Sequence, residues 1–409
     1  MNIPKTASVT SSDTGRSILN KVPEVTIFFW IIKVLCTTVG ETVSDFLNVN
    51  LNFGLNGTAV VMGICLVAVI FFQFRANRYI PGLYWLSVVM ISVFGTLLTD
   101  LLTDNLHVPL IASTVFFSIA LAITFAVWYA KEGTLSIHSI FTRRREAFYW
   151  LTILCTFALG TASGDLIAEQ LGFGYLVTGL IIVATIVAIT VAWRLGLDEI
   201  LAFWLVYIMT RPLGASMGDF LSQAKDNGGL GLGAAITSAI FLVAILAVVI
   251  FLTVTRRDAI TAPEAPVEVK EKRASTLWQV VGVVGVLVLV SGVGYSWRSS
   301  QLATLKAANA ASPSPLGDLS AFRTVAEDTL GLVKAGDLAG AKTRIKDLET
   351  AWDLGQATLK PMNSDKWTAL DTAIDPVLTN IRASKPDVTA CATSLQSLID
   401  LINSIDPKK

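Results

Sequence analysis

Residues 30–45 read WIIKVLCTTVGETVSD, and their landmarks return three times: WLSVVMISVFGTLLTD at 85–100, WLTILCTFALGTASGD at 150–165 and WLVYIMTRPLGASMGD at 204–219. Each copy is a tryptophan (Trp30, Trp85, Trp150, Trp204), nine residues, a glycine (Gly40, Gly95, Gly160, Gly214), four residues, and an aspartate (Asp45, Asp100, Asp165, Asp219). Three positions kept without a gap in four segments mark an internal duplication. Every copy lies in an apolar run near the ~20 residues that a helix needs to cross the hydrocarbon of a bilayer. Between the copies lie further apolar runs, so each unit reads as a two-helix hairpin.

The whole chain agrees with that reading. Of 409 residues, 53% are hydrophobic and only 15% charged, which excludes an ordinary water-soluble globule. Runs at 25–47, 57–74, 83–103, 109–130, 148–170, 174–194, 199–222 and 231–254 give eight spans, and 276–297 a ninth, with Trp278 and Trp297 near its ends. Lys and Arg gather after the even spans, at Arg75 and Arg78, at Lys131 and Arg143 to Arg145, at Arg194, and from Arg256 to Arg273. The positive-inside rule then sets the N-terminus in the cytoplasm and the chain beyond the ninth span outside. Because every unit starts on the same side, the repeats are parallel and not inverted. The expected organisation is a cytoplasmic tail over 1–24, an eight-helix domain over 25–254 (repeats 25–78, 79–140, 141–196 and 197–257), a linker over 255–275, the ninth helix, a second linker over 298–315 and a bundle over 316–409.

The repeated Trp, Gly and Asp resemble those of an uncharacterised family of bacterial "membrane-anchored" proteins built from four tandem two-helix transmembrane repeats, each with a characteristic tryptophan. The resemblance covers roughly residues 25–254. It implies four repeats in a bacterial inner membrane and carries no established activity.

Chemistry has to be read from the residues. Trp to Asp is about 22 Å along a helix, which sets the carboxylate past the bilayer midplane if each tryptophan anchors at the inner interface. An ionised carboxylate there costs ~2.5–3.5 kcal/mol on insertion scales, so it needs a hydrogen-bonded latch, a proton or a cation. Glycine with small neighbours is what close helix packing requires, which puts the odd helices inside and the aspartates at helix contacts. Around a shared axis the aspartates converge. Glu41, four residues before Asp45, shares its helix face. Glu41, Asp45, Asp165 and Asp219 would then supply hard oxygen ligands for Mg²⁺, Mn²⁺ or Ca²⁺, or proton-carrying sites, with Asp100 as a further binding group. Hydroxyls at Thr37, Thr38, Ser44, Thr96, Thr99, Thr161 and Ser216 could add neutral oxygens. A latch is the competing reading, each aspartate accepting from the outer turn of its own hairpin. Lys33 is expected to snorkel to the cytoplasmic interface. Arg211, beside Pro212, is too deep for that and is expected to pair with Glu41 or a repeat aspartate, as a gate or as a charge surrogate.

Beyond a Pro/Ser stretch from Ser312 to Pro315 the sequence turns soluble, with apolar stripes at helical spacing, such as Trp367, Leu370, Ile374, Val377 and Ile381. They predict an extracytoplasmic four-helix bundle with Asp337, Ser364 and Asp387 as N-caps and Cys391 in the core. The acidic residues Asp347, Glu349, Asp353, Asp371 and Asp375 read as a solvated face. Neither a nucleophile and base, a phosphate loop, nor a cysteine or histidine metal spacing emerges, so no enzyme and no cofactor is expected. Balanced charge, 31 Lys and Arg against 31 Asp and Glu, predicts no nucleic-acid partner. The sequence is read as an all-α polytopic membrane protein of the inner membrane. Its expected role is transport of a small cation, divalent or proton-coupled, through the repeat carboxylates. The alternative is a channel-like or non-transporting scaffold whose outer bundle senses or docks a protein partner. Lipid is the expected surrounding, and the oligomeric state is not encoded.

Overall fold

The computed structural model describes residues 21–47, 54–106, 108–222, 229–258, 273–310, 314–383 and 385–407, among which there is no β-strand. The repeats supply α1 (Ile27–Asp45), α2 (Gly54–Arg75), α3 (Pro81–Asp100), α4 (Leu110–Glu132), α5 (Arg143–Asp165), α6 (Gly174–Arg194), α7 (Glu199–Ser222) and α8 (Ala234–Thr255). Then follow α9 (Arg273–Ala310), α10 (Ser320–Lys334), α11 (Leu338–Met362), α12 (Ser364–Arg382) and α13 (Val388–Ile405). Among the described residues, α1 to α9 contain nine stretches long and apolar enough to cross a membrane, which makes this a multi-pass membrane protein.

The odd helices form the inside. In their apolar stretches 56–61% of the residues are buried, against 11–28% in α2, α4, α6 and α8. α1 packs on α3, α3 on α5, α5 on α7 and α7 on α1, a closed ring of four. The hairpin expectation is corrected in its packing. The outer helix of each repeat rests chiefly on the inner helix of the next: α2 on α3, α4 on α5, α6 on α7, and α8 back on α1. Each repeat thus buries its inner helix with its neighbours' help, and the last repeat closes on the first.

Two layers of contacts show why the sequence closes this way. Gly40 lies so close to α3 that a Cβ there would sit 1.8 Å from Ser92 Oγ; at Gly95 it would sit 2.8 Å from Phe157 Cβ, at Gly160 2.4 Å from Arg211 Cγ, and at Gly214 1.9 Å from Thr37 Oγ1. Every repeat glycine therefore receives the residue seven after the tryptophan of the next repeat. In lipid, where tails are as apolar as Leu, such close approach replaces the hydrophobic effect as the source of helix association. The second layer is aromatic. Phe29, Tyr84, Tyr149 and Phe203, each preceding a repeat tryptophan, meet the tryptophan of the following repeat, Phe29 with Trp85 at 5.6 Å, Tyr84 with Trp150 at 5.5 Å, Tyr149 with Trp204 at 6.3 Å and Phe203 with Trp30 at 5.5 Å between centroids. This corrects the anchor reading of the tryptophans. Trp85, Trp150 and Trp204 are at most 5% exposed, Trp30 is half-buried, and Trp204 Nε1 donates to the Leu135 carbonyl at 3.0 Å.

α3 and α5 continue past their aspartates as π-helical turns, Leu101–Asn105 and Leu166–Gln170, and α1 widens likewise at residues 46–47. Residues 1–20, the outer turns over 48–53 and 223–228, His107, and linker residues 259–272 lie outside the described residues. Lys21 and Val22 are buried, so the part of the expected tail that is described belongs to the bundle. The linker expected over 298–315 is corrected too, since α9 runs unbroken to Ala310.

The C-terminal bundle is built as its stripes predict. Ala341, Ile345, Leu348, Trp352, Trp367, Val377, Cys391 and Leu395 form its core with Leu319 and Ala326, while Val388 is exposed. Asp337 and Asp387 cap α11 and α13, but α12 is capped by Asn363, which accepts from the Lys366 amide, and not by Ser364. Glu349 pairs with Arg382, Asp347 with Arg344, and Asp371 accepts from Trp352 Nε1. The bundle rests on the ring's aspartate end. Lys360 Nζ of α11 stands 3.8 Å from Glu169 Oε2 in the π-turn after Asp165, and Gln356 donates to the same oxygen. From α9, Arg298 Nε donates to the Leu171 carbonyl at 2.7 Å and Nη2 to that of Gly172 at 3.1 Å.

Candidate functional site on the axis of the ring

The inner helices present a side chain to the axis every four residues, so the repeats stack it in layers. Nearest the tryptophans are Lys33, Val88, Ile153 and Tyr207; then Thr37, Ser92, Phe157 and Arg211; then Glu41, Thr96, Thr161 and Ala215, each the residue after a repeat glycine; then the aspartates. All twelve residues of the first three layers are at most 8% exposed.

Arg211 is fully buried and ties the ring together. Its Nη2 lies within hydrogen-bonding reach of Glu41 Oε2 at 2.7 Å, of Thr161 Oγ1 at 2.7 Å and of Thr96 Oγ1, while Nη1 donates to the Thr37 carbonyl at 3.2 Å. The three side chains come from equivalent positions of the first three repeats. The fourth has Ala215 there, which leaves room for an arginine rising one turn away. The two threonines donate their own protons to carbonyls one turn back, Ser92 and Phe157, so their lone pairs face the guanidinium. The expected pairing of Arg211 with Glu41 is therefore what the fold builds. Pro212 lies within α7, packed where Gly160 and Gly164 open α5, and the Thr37 hydroxyl of α1 is shared between the Val34 carbonyl at 2.6 Å and the Thr210 carbonyl of α7 at 3.1 Å.

Lys33 contradicts its expected place at the interface. It is 1% exposed, with Nζ over the rings of Phe157 at 3.7 Å and Tyr207 at 4.1 Å and with no hydrogen bond. Cation–π contact with two rings takes the place of hydration. Two basic side chains thus stand in successive layers, and among the described residues only Arg211 has an acidic partner there.

Towards the aspartate end the sign reverses. Asp219 is 6% exposed, and among the described residues no side-chain hydrogen bond or ion pair is made by its carboxylate. The main charges acting on it are Glu41, Asp45, Asp165 and Glu169, and Tyr175 of α6 feels Asp45, Asp165, Glu169 and Asp219. Asp100 belongs to α3, the ring helix diagonally opposite α7, and is not among those main influences. Asp45, Asp100 and Asp165 are half-buried. Among the described residues no three His, Cys, Asp or Glu side chains come together closely enough to hold one metal ion, so the ligand set of Glu41, Asp45, Asp165 and Asp219 is not assembled as a chelate. Of the expected hydroxyls, Thr96 and Thr161 reach the charged group, whereas Thr99 donates across to the Ala158 carbonyl of α5 at 3.1 Å.

Sequence reading missed Glu169 and the aromatic partners of the tryptophans. Both leave a mark: Glu169 follows Asp165 at the spacing by which Asp45 follows Glu41, and an aromatic residue precedes every repeat tryptophan.

No curated protein and no solved structure matches this chain. The model of a family described as "Repeat of Unknown Function (DUF347)" matches it four times, at residues 28–79, 83–134, 148–195 and 202–258, one match for each unit of the ring. The matches cover half of the chain and carry the glycines, the tryptophans and the charged axis, so this protein belongs to the DUF347 repeat family.

Proposed function

We propose that this protein is a proton-coupled carrier of a small monovalent cation in a bacterial inner membrane, with its N-terminus in the cytoplasm and its C-terminal bundle outside. The observation that carries the reading is Asp219, a buried residue whose carboxylate meets no donor among the described residues and on which Glu41, Asp45, Asp165 and Glu169 act electrostatically. Glu41 and Glu169 already face Arg211 and Lys360, and the like charges of Asp219, Asp45 and Asp165 are eased by a proton or a cation among them. Asp45, Asp165, Asp219 and Glu169 would bind and exchange these, while Arg211 occupies Glu41 and closes the axis. If Glu41 releases the guanidinium, the Thr37 carbonyl and the hydroxyls of Thr96 and Thr161 can still hold it, which makes the pair a gate. Lys33 behind it, packed between Phe157 and Tyr207, fills the axis, as suits a carrier closed on one side better than an open pore. Divalent ions, which take six or more oxygens at short distance, suit the dispersed carboxylates less well. The bundle, seated on Glu169, would act as a lid through which an outside partner reaches the acidic end.

The test uses the purified protein in liposomes enclosing a pH-sensitive dye. An imposed Na⁺ or K⁺ gradient is expected to drive proton movement in the opposite direction, at least tenfold above empty liposomes. Proton movement that ignores the cation gradient would remove the proposal.

A further inference from the structure

We infer that the tryptophan end of the bundle contains a second binding site, for a monovalent cation of the size of potassium, and that the ammonium group of Lys21 is its tethered occupant. The site lies at the other end of the inner helices from the acidic cluster and does not rest on the transport reading.

Lys21 is 2% exposed. Its Nζ donates to Glu146 Oε2 at 2.6 Å and to the Phe74 carbonyl at 3.2 Å. Glu146, 1% exposed, stands in the first turn of α5, and Gln73 and Phe74 in the last turn of α2, so two helices of different repeats bring the oxygens together without help from the lysine. Gln73 is also 1% exposed; its Nε2 donates to Glu146 Oε1 at 3.4 Å, while its Oε1 is buried with no hydrogen bond. A purely structural ion pair gives no reason to bury an unmet acceptor beside it. A metal cation does, because it takes more oxygen ligands than an ammonium with three protons can reach. One carboxylate among neutral oxygens sets the charge at one. A primary ammonium and K⁺ are close in size, so the cradle that fits one admits the other.

The occupant is also placed to leave. Lys21 belongs to no helix; its segment reaches α1 only at Ile27, with Lys21, Val22 and Pro23 buried and the Glu24 amide donating to the Asp258 carbonyl at 3.0 Å. Arg211, in contrast, is fixed within α7. A non-helical segment outside the bundle's helices can open locally without unfolding any of them. Withdrawal of residues 21–26 would hand the oxygens of Glu146, Gln73 and Phe74 to a free cation.

The experiment measures thermal unfolding of the full chain in lipid nanodiscs, in KCl and in choline chloride at equal ionic strength, for the native protein and Lys21→Met. In Lys21→Met the Tm is expected to rise by several degrees and saturably with KCl, since a ligand that binds only the folded state stabilises it. The native protein should show a smaller rise, confined to what the acidic cluster contributes, and adding Glu146→Gln to Lys21→Met should return the response to that native level. The inference is overturned if Lys21→Met responds no more than the native protein, if the double variant keeps the response, or if MgCl₂ acts more strongly than KCl. It is equally overturned if Lys21→Met fails to fold even in high KCl, because potassium would then be unable to replace the ammonium.

Discussion

Glu41→Ala is expected to cost about 3–5 kcal/mol of bundle stability, the effect of leaving one partner of a buried ion pair uncompensated. The magnitude follows from where the pair sits. Arg211 is fully buried, it touches all three other inner helices, and Glu41 is its one anionic partner among the described residues. Glu41→Leu combined with Arg211→Met should lie much closer to the native protein than Glu41→Leu alone, because no charge is then stranded on the axis. A double-mutant cycle in mixed micelles, read by denaturant titration, measures the coupling. Strictly additive losses would mean that the pair is not the tie across the ring.

The repeat glycines supply the second large effect. A Cβ at Gly160 would lie 2.4 Å from Arg211 Cγ and 2.5 Å from its Cβ, atoms next to the α7 backbone that cannot swing aside. Gly160→Ala should therefore push α5 from α7 and cost about 1–3 kcal/mol, the usual scale of overpacking. At Gly82 nothing lies within 4 Å, so Gly82→Ala should stay within about 0.5 kcal/mol of the native protein or gain slightly from the lower chain entropy. Thermal unfolding of the two variants side by side makes the comparison, and equal losses would show that small residues in these helices serve composition and not contact.

How far these features could be read beforehand depended on whether the sequence carried a period for them. The nine spans and the inner rank of α1, α3, α5 and α7 were legible because apolar length and the Trp, Gly and Asp spacing are local. So were the bundle stripes and the meeting of Arg211 with Glu41, since a deep guanidinium needs an anion and few were at hand. The exchange of outer helices was not legible. α2, α4, α6 and α8 are apolar on every side, which suits lipid and names no partner. The tryptophans were misjudged because depth along a helix does not say which way a ring points; Phe29, Tyr84, Tyr149 and Phe203 held that answer as a ring-to-ring layer. Lys33 was misjudged because snorkelling assumes lipid at its flank, and Phe157 and Tyr207 stand there instead. The extension of α9 was readable, since no helix breaker stands between Trp297 and Pro313.

The carboxylates decide the functional account, and they divide by position in the ring. Asp45 and Asp165 act on Asp219 from its two neighbouring inner helices, while Asp100 belongs to the helix opposite. Cation-driven proton flux in liposomes is therefore the most direct measurement, made on Asp219→Asn, on Asp45→Asn with Asp165→Asn, and on Asp100→Asn, each shown to be folded. The account predicts at least tenfold loss for the first two and flux near the native rate for the third. Native rates in Asp219→Asn, or a loss in Asp100→Asn as deep as in the others, would contradict it.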